Sequence, residues 1–303
     1  MRVSVVVCAY TLDLYEHVRD AADSVLSQTH PDTELVLVSD GDDALAEAMD
    51  RDYGDREDVR VVANDENRGL SYSRNHGVEA ATGDVVAFLD DDAVAEPDWV
   101  ETLVGGYERH NALAVGGRMA PEWVAGKPDF LPAEFYFLIG VTHRGFPEGE
   151  CEVRNTFGSN ISFRREVLEE LGGFDEGLGR KGDSQGQGEE TDLAARMYAR
   201  YSERVWYLPN AVVRHKIFDY RTDPRWLAER AFEQGRSKRT MRDGEGDGAR
   251  ESDFLRFLLL ESTPARLRSL ARAPALPKLE QFVALYVLTA LVGLGYGYEA
   301  LAG

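Results

Sequence analysis

Apolar and polar positions alternate in blocks along the first third of the chain. Residues 3–7, 35–38, 59–62 and 85–89 are short runs dominated by Val and Leu, the pattern of strands covered on both faces of a parallel sheet. Between them, residues 15–27, 44–53 and 71–81 have helical spacing; in the first, Val18, Ala21, Ala22, Val25 and Leu26 share one face. The succession predicts an α/β fold, a doubly wound, mostly parallel sheet flanked by helices. Its ligands would occupy the crevice beyond the carboxyl ends of the strands.

Further on, Pro97 and Asp98 open a helix whose apolar face is Trp99, Val100, Leu103, Val104 and Tyr107. Residues 114–116 read as a short strand. From 121 to 150 the periodicity gives way to aromatics and prolines, including Trp123, Phe130, Phe135, Tyr136 and Phe137, as in a substrate-side loop or a partly ordered helix. Helices are expected at 164–171, 191–201 and 224–241, and strands at 205–208 and 212–215. Residues 242–252 mix Gly with acids as a linker does, so the expected division is a domain at 1–241, a linker at 242–252 and a helical tail at 253–303.

Charge narrows the function classes. The 303 residues carry 34 Lys and Arg against 54 Asp and Glu, a net −20, which disfavours nucleic acid as a partner because phosphate contacts need a basic surface. Five of the cations are Lys and the remaining 29 are Arg. An acidic, Lys-poor surface resembles the proteins of salt-loving archaea, where high salt screens self-repulsion; a merely acidic mesophilic enzyme is the plainer alternative. Two cysteines, Cys8 and Cys151, are too few for a disulfide framework or a thiolate metal site. The apolar run at 3–7 is too short for a signal peptide and reads as a buried strand.

The chemistry gathers at the ends of the early strands. Asp90, Asp91 and Asp92 follow the fourth run directly. Acids there suit a hard divalent cation, Mg²⁺ or Mn²⁺, bridging two phosphates of a ligand; an acidic turn in an acidic protein is the plainer alternative. Asp40 ends the second run, where an acid can hydrogen-bond a base or ribose, and Asp42 or Asp43 suits the cap of the helix that follows. Arg74 stands one helical turn beyond Asn67-Arg68-Gly69-Leu70, within reach of a nucleotide or its phosphates. Gly158-Ser159-Asn160 either lines an acceptor side or, with Ser162, caps the next helix. The basic stretch 234–239 reads as a phosphate contact or as a solvated helix face.

The segments VSVVVCAYT, VSDGDD, NRGLSYSRN, FLDDDAVAEPDWV, SNISFRREVLEELGGFDE and GEETDLAARM, in this order and spacing, resemble the family 2 glycosyltransferases of GT-A fold over residues 1–240 or so. The resemblance implies a nucleotide-diphosphate sugar donor, a divalent metal and an inverting single displacement. It assigns the backbone near Ala9 and Tyr10, with Asp40, to the nucleotide base, and Arg74 to the nucleotide's surroundings. Asp90 falls toward ribose and metal, Asp91 on the donor, Asp92 on the metal, and His215 on a further metal or diphosphate contact. Glu190 falls on the usual general base, where an Asp is commoner, so the choice between it and Glu189 stays open. Asn160 and Trp123 are expected on the acceptor side.

The segment 282–298 has no charge and follows a basic stretch containing Arg266, Arg268, Arg272 and Lys278. A single span, a shallow interfacial helix and a buried helix all fit its length; the preceding cations favour a membrane surface, with the catalytic domain on the cytoplasmic face. Residues 1–215 hold 20 basic and 42 acidic side chains, whereas 216–303 hold 14 and 12, so the acidity belongs to the nucleotide-sugar domain. A lipid-linked acceptor, as in archaeal N-glycosylation, would give such a tail a purpose. The alternatives are a sugar-nucleotidyltransferase and a non-catalytic, membrane-associated subunit of glycan assembly.

Overall fold

The computed structural model describes residues 1–179, 188–242 and 254–302; the linker expected at 242–252 lies outside them from 243 on. Compactness divides the chain into two units, Met1–Ala120 with Pro147–Lys216, and Pro121–Phe146 with Ile217–Gly303. The aromatic segment 121–146 thus groups with the C-terminal helices, a boundary different from the one drawn at residue 241.

The α/β unit begins β1 (Val3–Ala9), α1 (Tyr15–Leu26), β2 (Thr33–Asp40), α2 (Asp43–Tyr53), β3 (Val59–Asn64), α3 (Leu70–Ala80) and β4 (Val85–Asp90). It continues with β5 (Ala93–Ala95), α4 (Trp99–His110), β6 (Ala114–Trp123), β7 (Cys151–Val153), β8 (Ile161–Arg164), α5 (Arg165–Leu171), α6 (Glu189–Tyr201) and β9 (Val205–Ile217). The strands join in the order β3-β2-β1-β4-β8-β6-β9-β5, with β7 also on β9.

Strands β3, β2, β1 and β4 are parallel, while β8 runs antiparallel to both β4 and β6, and β9 to both β5 and β7. The sheet is therefore mixed, parallel in the half whose continuous apolar runs announced it. Side chains alternate as the pleat requires. Val5, Val7, Leu35 and Leu37 join α1 and α4 in one core, and Val6 and Val38 face α3 so closely that a Cβ on Gly77 would lie 2.4 Å from Val6 Cγ1.

Two departures from the periodicity have a common cause. Residues 205–217 form one 13-residue strand rather than two short ones, and Ala93–Ala95, hidden inside the acidic turn, becomes a strand. Ala93 pairs with His215 and Ala95 with Val213, a pairing across some 120 residues of chain that no local pattern encodes.

The helical unit contains a 3₁₀ turn at Ala133–Ile139, α7 (Pro224–Arg242), a π-helical turn at Leu258–Ser262, α8 (Thr263–Arg272) and α9 (Leu276–Ala302). Its core joins Leu131, Phe135, Ile139, Leu227, Leu258, Leu285 and Leu288. At its centre Glu134, fully buried, accepts from Arg266 Nε at 3.0 Å and from Arg266 Nη2, with Ser262 Oγ donating as well.

Candidate active site

Parallel pairing aligns the carboxyl ends of four strands. Cys8 stands opposite Asp90, Ala9 opposite Ser39 and Asp40 opposite Asn64. The expected nucleotide-side residues therefore meet at one edge: Ala9 buried, Tyr10 exposed, Asp40 buried. Asp40, however, is already engaged. Its Oδ1 accepts from Asn64 Nδ2 at 2.8 Å and from the Arg68 amide at 2.8 Å, and its Oδ2 from the Gly69 amide at 2.9 Å. Gly69 caps α3 at φ +95, a conformation that favours glycine. Asp40 thus holds the loop before α3 in place, and most of its lone pairs are used within the protein. Asp42 does cap α2, accepting from the Leu45 amide at 3.0 Å.

Arg74 is the hub. Carried on α3 and 3% exposed, it donates from Nη1 to Glu189 Oε1 at 3.0 Å, and from Nη2 to Asp90 Oδ1 at 3.1 Å and Gly158 O at 3.2 Å. The rings of Phe88 and Phe174 flank its guanidinium at 5.7 and 5.4 Å. Burial works against its charge, but Glu189 and Asp90 outweigh that and hold its pKa above the usual range. One cation so ties the end of β4 to the first turn of α6. The neighbouring Cys8 thiol is pushed up by burial, partly offset by Arg74, and is an inert neighbour rather than a nucleophile.

Two adjacent glutamates on α6 have opposite surroundings. Glu189 is buried and neutralised by Arg74. Glu190 is half-buried and its pKa is pushed up to about 8, by burial first and by the Glu189 charge second. A carboxyl that binds a proton near neutrality suits general acid–base work, and one locked in a buried ion pair does not. Asp192, in the same first turn, accepts from Arg196 Nε at 2.7 Å, the ordinary i, i+4 pair of a helix surface.

The β5–β9 pairing delivers the other acidic residue. Asp92, directly before β5, brings Oδ1 within 3.2 Å of His215 Nε2, and its carbonyl accepts from the Lys216 amide at 2.9 Å. Asp91 lies beside it on the turn between β4 and β5. Among the described residues no group of three or more His, Cys, Asp or Glu forms a ready metal cage. A hard cation that keeps several waters and takes its remaining ligands from a diphosphate needs only one or two carboxylates. Asp90 and Asp92, with His215 adjoining, fit that kind of site, and a wholly protein-made cage does not.

Other expected residues have surroundings of their own. Asn160 turns inward instead of lining an acceptor side: it is fully buried, its Oδ1 accepting from Trp99 Nε1 at 2.9 Å and its Nδ2 donating to the carbonyls of Arg118 and Ala211. Ser162 is no helix cap, since its hydroxyl accepts from Tyr107 and donates to Val115 O. Trp123 belongs to the helical unit, edge-on to Tyr136 at 5.7 Å. The basic stretch 234–239 lies on α7 in that same unit, with Arg236 held by Glu233 and Glu299. Ser159 was named only within the Gly158-Ser159-Asn160 segment, and its own contact was missed: its Oγ accepts from the Asp90 amide at 2.9 Å. Asn64, also missed, was marked only by its place at the end of a parallel strand.

The description Glycosyl transferase family 2 belongs to the family profile that matches residues 4–172. The chain belongs to that family and is a glycosyltransferase. A glucosyl-dolichyl phosphate glucuronosyltransferase of Haloferax volcanii is 49% identical over 303 residues, covering 99% of this chain and 97% of the relative. The fold resembles a mannosyltransferase from Pyrobaculum calidifontis in complex with GDP-Man and Mn²⁺, with TM-score 0.61 and 20% identity, covering 99% of this chain and 87% of that one. GalNAc-T7 with UDP, GalNAc and Mn²⁺ is similar at TM-score 0.55 and 19% identity, over 72% of this chain and 44% of that one. Membership in the family replaces the nucleotidyltransferase and the non-catalytic alternatives.

Proposed function

We propose that the protein is an inverting, divalent-metal-dependent transferase that moves a glucuronosyl group from a nucleotide-diphosphate donor to a hydroxyl of glucosyl-dolichyl phosphate or a similar lipid-linked glycan. The substrate class is supported by the relative that matches nearly end to end, and the chemistry by the contrast between Glu189 and Glu190. Glu190 accepts the proton of the acceptor hydroxyl as its oxygen attacks the anomeric carbon. The new carbon–oxygen bond forms opposite the breaking bond to the diphosphate, so configuration inverts and no covalent enzyme intermediate arises.

Asp90, Asp92 and His215 are the side chains that would hold the cation, and a bound Mg²⁺ or Mn²⁺ supplies charge neutralisation to the departing diphosphate. Arg74 does not touch the reacting atoms in this reading. It positions Asp90 through Nη2 and keeps Glu189 occupied in an ion pair, which leaves Glu190 as the base.

A nucleotide-diphosphate release assay with UDP-glucuronic acid, Mn²⁺ and a glucosyl-dolichyl phosphate acceptor tests the proposal. Glu190→Gln is expected to lower turnover by about 10²–10⁴-fold with donor affinity nearly unchanged. A fully active Gln variant removes Glu190 from the mechanism, and a product that keeps the donor's anomeric configuration removes the single displacement.

A further inference from the structure

Among the described residues one helix, α9, is long and apolar enough to cross a membrane. Its packing is at odds with crossing. One face is pressed onto α7 at two glycines: a Cβ on Gly235 would sit 2.0 Å from Val292 O, and one on Gly295 would sit 1.9 Å from Phe232 O. Arg236 Nε reaches Glu299 Oε2 at 2.7 Å and holds the far end of the pair. Helix α7 carries Arg225, Glu229, Arg230, Glu233, Lys238 and Arg239 besides Arg236. A helix so charged cannot follow α9 into hydrocarbon, where each ion costs about 2.5–3.5 kcal/mol or more.

The opposite face of α9 is apolar and exposed along its whole length. Leu276, Leu279, Val283, Val287, Leu294 and Leu301 are all at least half exposed and recur at helical spacing on one stripe about 40 Å long. Leu259 and Leu260 on the π-helical turn and Leu267 on α8 add further exposed apolar surface. Arg256, Arg268 and Arg272 are exposed in the same stretch, and residues 254–302 hold five basic and three acidic side chains in a chain of net charge −20. Apolar surface accompanied by cations matches the headgroup boundary of an anionic bilayer. A second copy in symmetric contact would oppose the same arginines.

We infer that the C-terminal helices bind an anionic lipid surface in plane, with the Leu276-to-Leu301 stripe of α9 in the headgroup boundary and α7 above it, and that α9 does not span the bilayer. The inference builds on the lipid-linked acceptor of the proposed function.

Flotation of the full chain with phosphatidylglycerol vesicles tests the surface. The chain is expected to float with these vesicles, and Leu279→Asp combined with Leu294→Asp to reduce the bound fraction by at least about tenfold at any salt. Arg268→Gln with Arg272→Gln is expected to lower it about tenfold at low salt and not at about 2 M, where charge is screened. All four side chains are exposed, and circular dichroism checks that the variants stay folded. Failure to float, or unchanged flotation of the Leu279/Leu294 variant, overturns the inference.

Orientation is tested separately with tags at both termini in sealed inverted membrane vesicles. Protease is expected to remove both from the same side; a protected C-terminal tag beside a digested N-terminal one establishes a span and overturns the in-plane arrangement. Transfer to a water-soluble, short-chain acceptor without vesicles reports on the proposed function alone, so failure of one reading is distinguishable from failure of the other.

Discussion

The two compact units place their unusual residues in opposite ways. In the α/β unit polar groups go inside: Asp40, Arg74, Asp92, Glu189 and His215 are all buried at or near the ends of strands. In the helical unit apolar groups go outside, along the exposed stripe of α9. Burying a charge is costly unless it is paired, and exposing leucine forgoes about 1.5–3 kcal/mol per side chain. Each unit therefore departs from the cheapest arrangement where the proposed reading gives it a ligand to meet, a nucleotide sugar in one and a lipid surface in the other.

The helical unit also holds a buried ion, and it sharpens the contrast. Glu134 and Arg266 cross-link the 3₁₀ turn to α8, much as Arg74 links α3, β4 and α6. Breaking either pair leaves a buried, uncompensated charge, at a cost of about 3–5 kcal/mol. Arg74→Ala and Glu134→Ala are both expected to lower the melting temperature substantially. Nucleotide-sugar affinity per folded molecule, measured by calorimetry, should fall only in Arg74→Ala. An equal loss in both variants would show that the two ions do the same kind of work and would break the distinction.

A smaller effect tests the surroundings of Glu190. With its pKa near 8, the deprotonated, proton-accepting form grows about tenfold between pH 7 and pH 9, so kcat/KM should rise with pH across that interval. A flat profile there contradicts the assignment. The smallest effect is expected two residues away. Asp192→Ala removes a partly exposed pair with Arg196, and should cost no more than about 0.5 kcal/mol in denaturant unfolding while leaving turnover unchanged. A large loss of turnover in Asp192→Ala would mean that the first turn of α6 acts as a block, and that Glu190 is not singled out by its own environment.

Much of the site was legible because parallel strands are read locally. A continuous apolar run ending in Asp40 or Asp90 announces a strand whose last residue sits at the ligand edge, and the in-register pairing of β1, β2, β3 and β4 places those ends together. The antiparallel half gave no such cue. Val205–Ile217 carries His215 to Asp92 only through its pairing with Ala93–Ala95, and the inward turn of Asn160 depends on Trp99, Arg118 and Ala211 from three other segments.

What the amino-acid sequence determined by itself was the class of element, the edge where carboxylates collect, and the acidity of the catalytic part, because strand and helix periods and charge are properties of neighbours along the chain. Tertiary structure decided which of two adjacent carboxylates is paired with a guanidinium, which acid holds a loop, and which face of the last helix is left uncovered. Those outcomes depend on how far burial and an opposing charge shift each group, and both are set by residues distant in sequence. Glu189 and Glu190 are adjacent in the chain and chemically identical; burial and the Glu189 charge raise the pKa of one, while the guanidinium of Arg74, 115 positions from Glu189, pairs with the other.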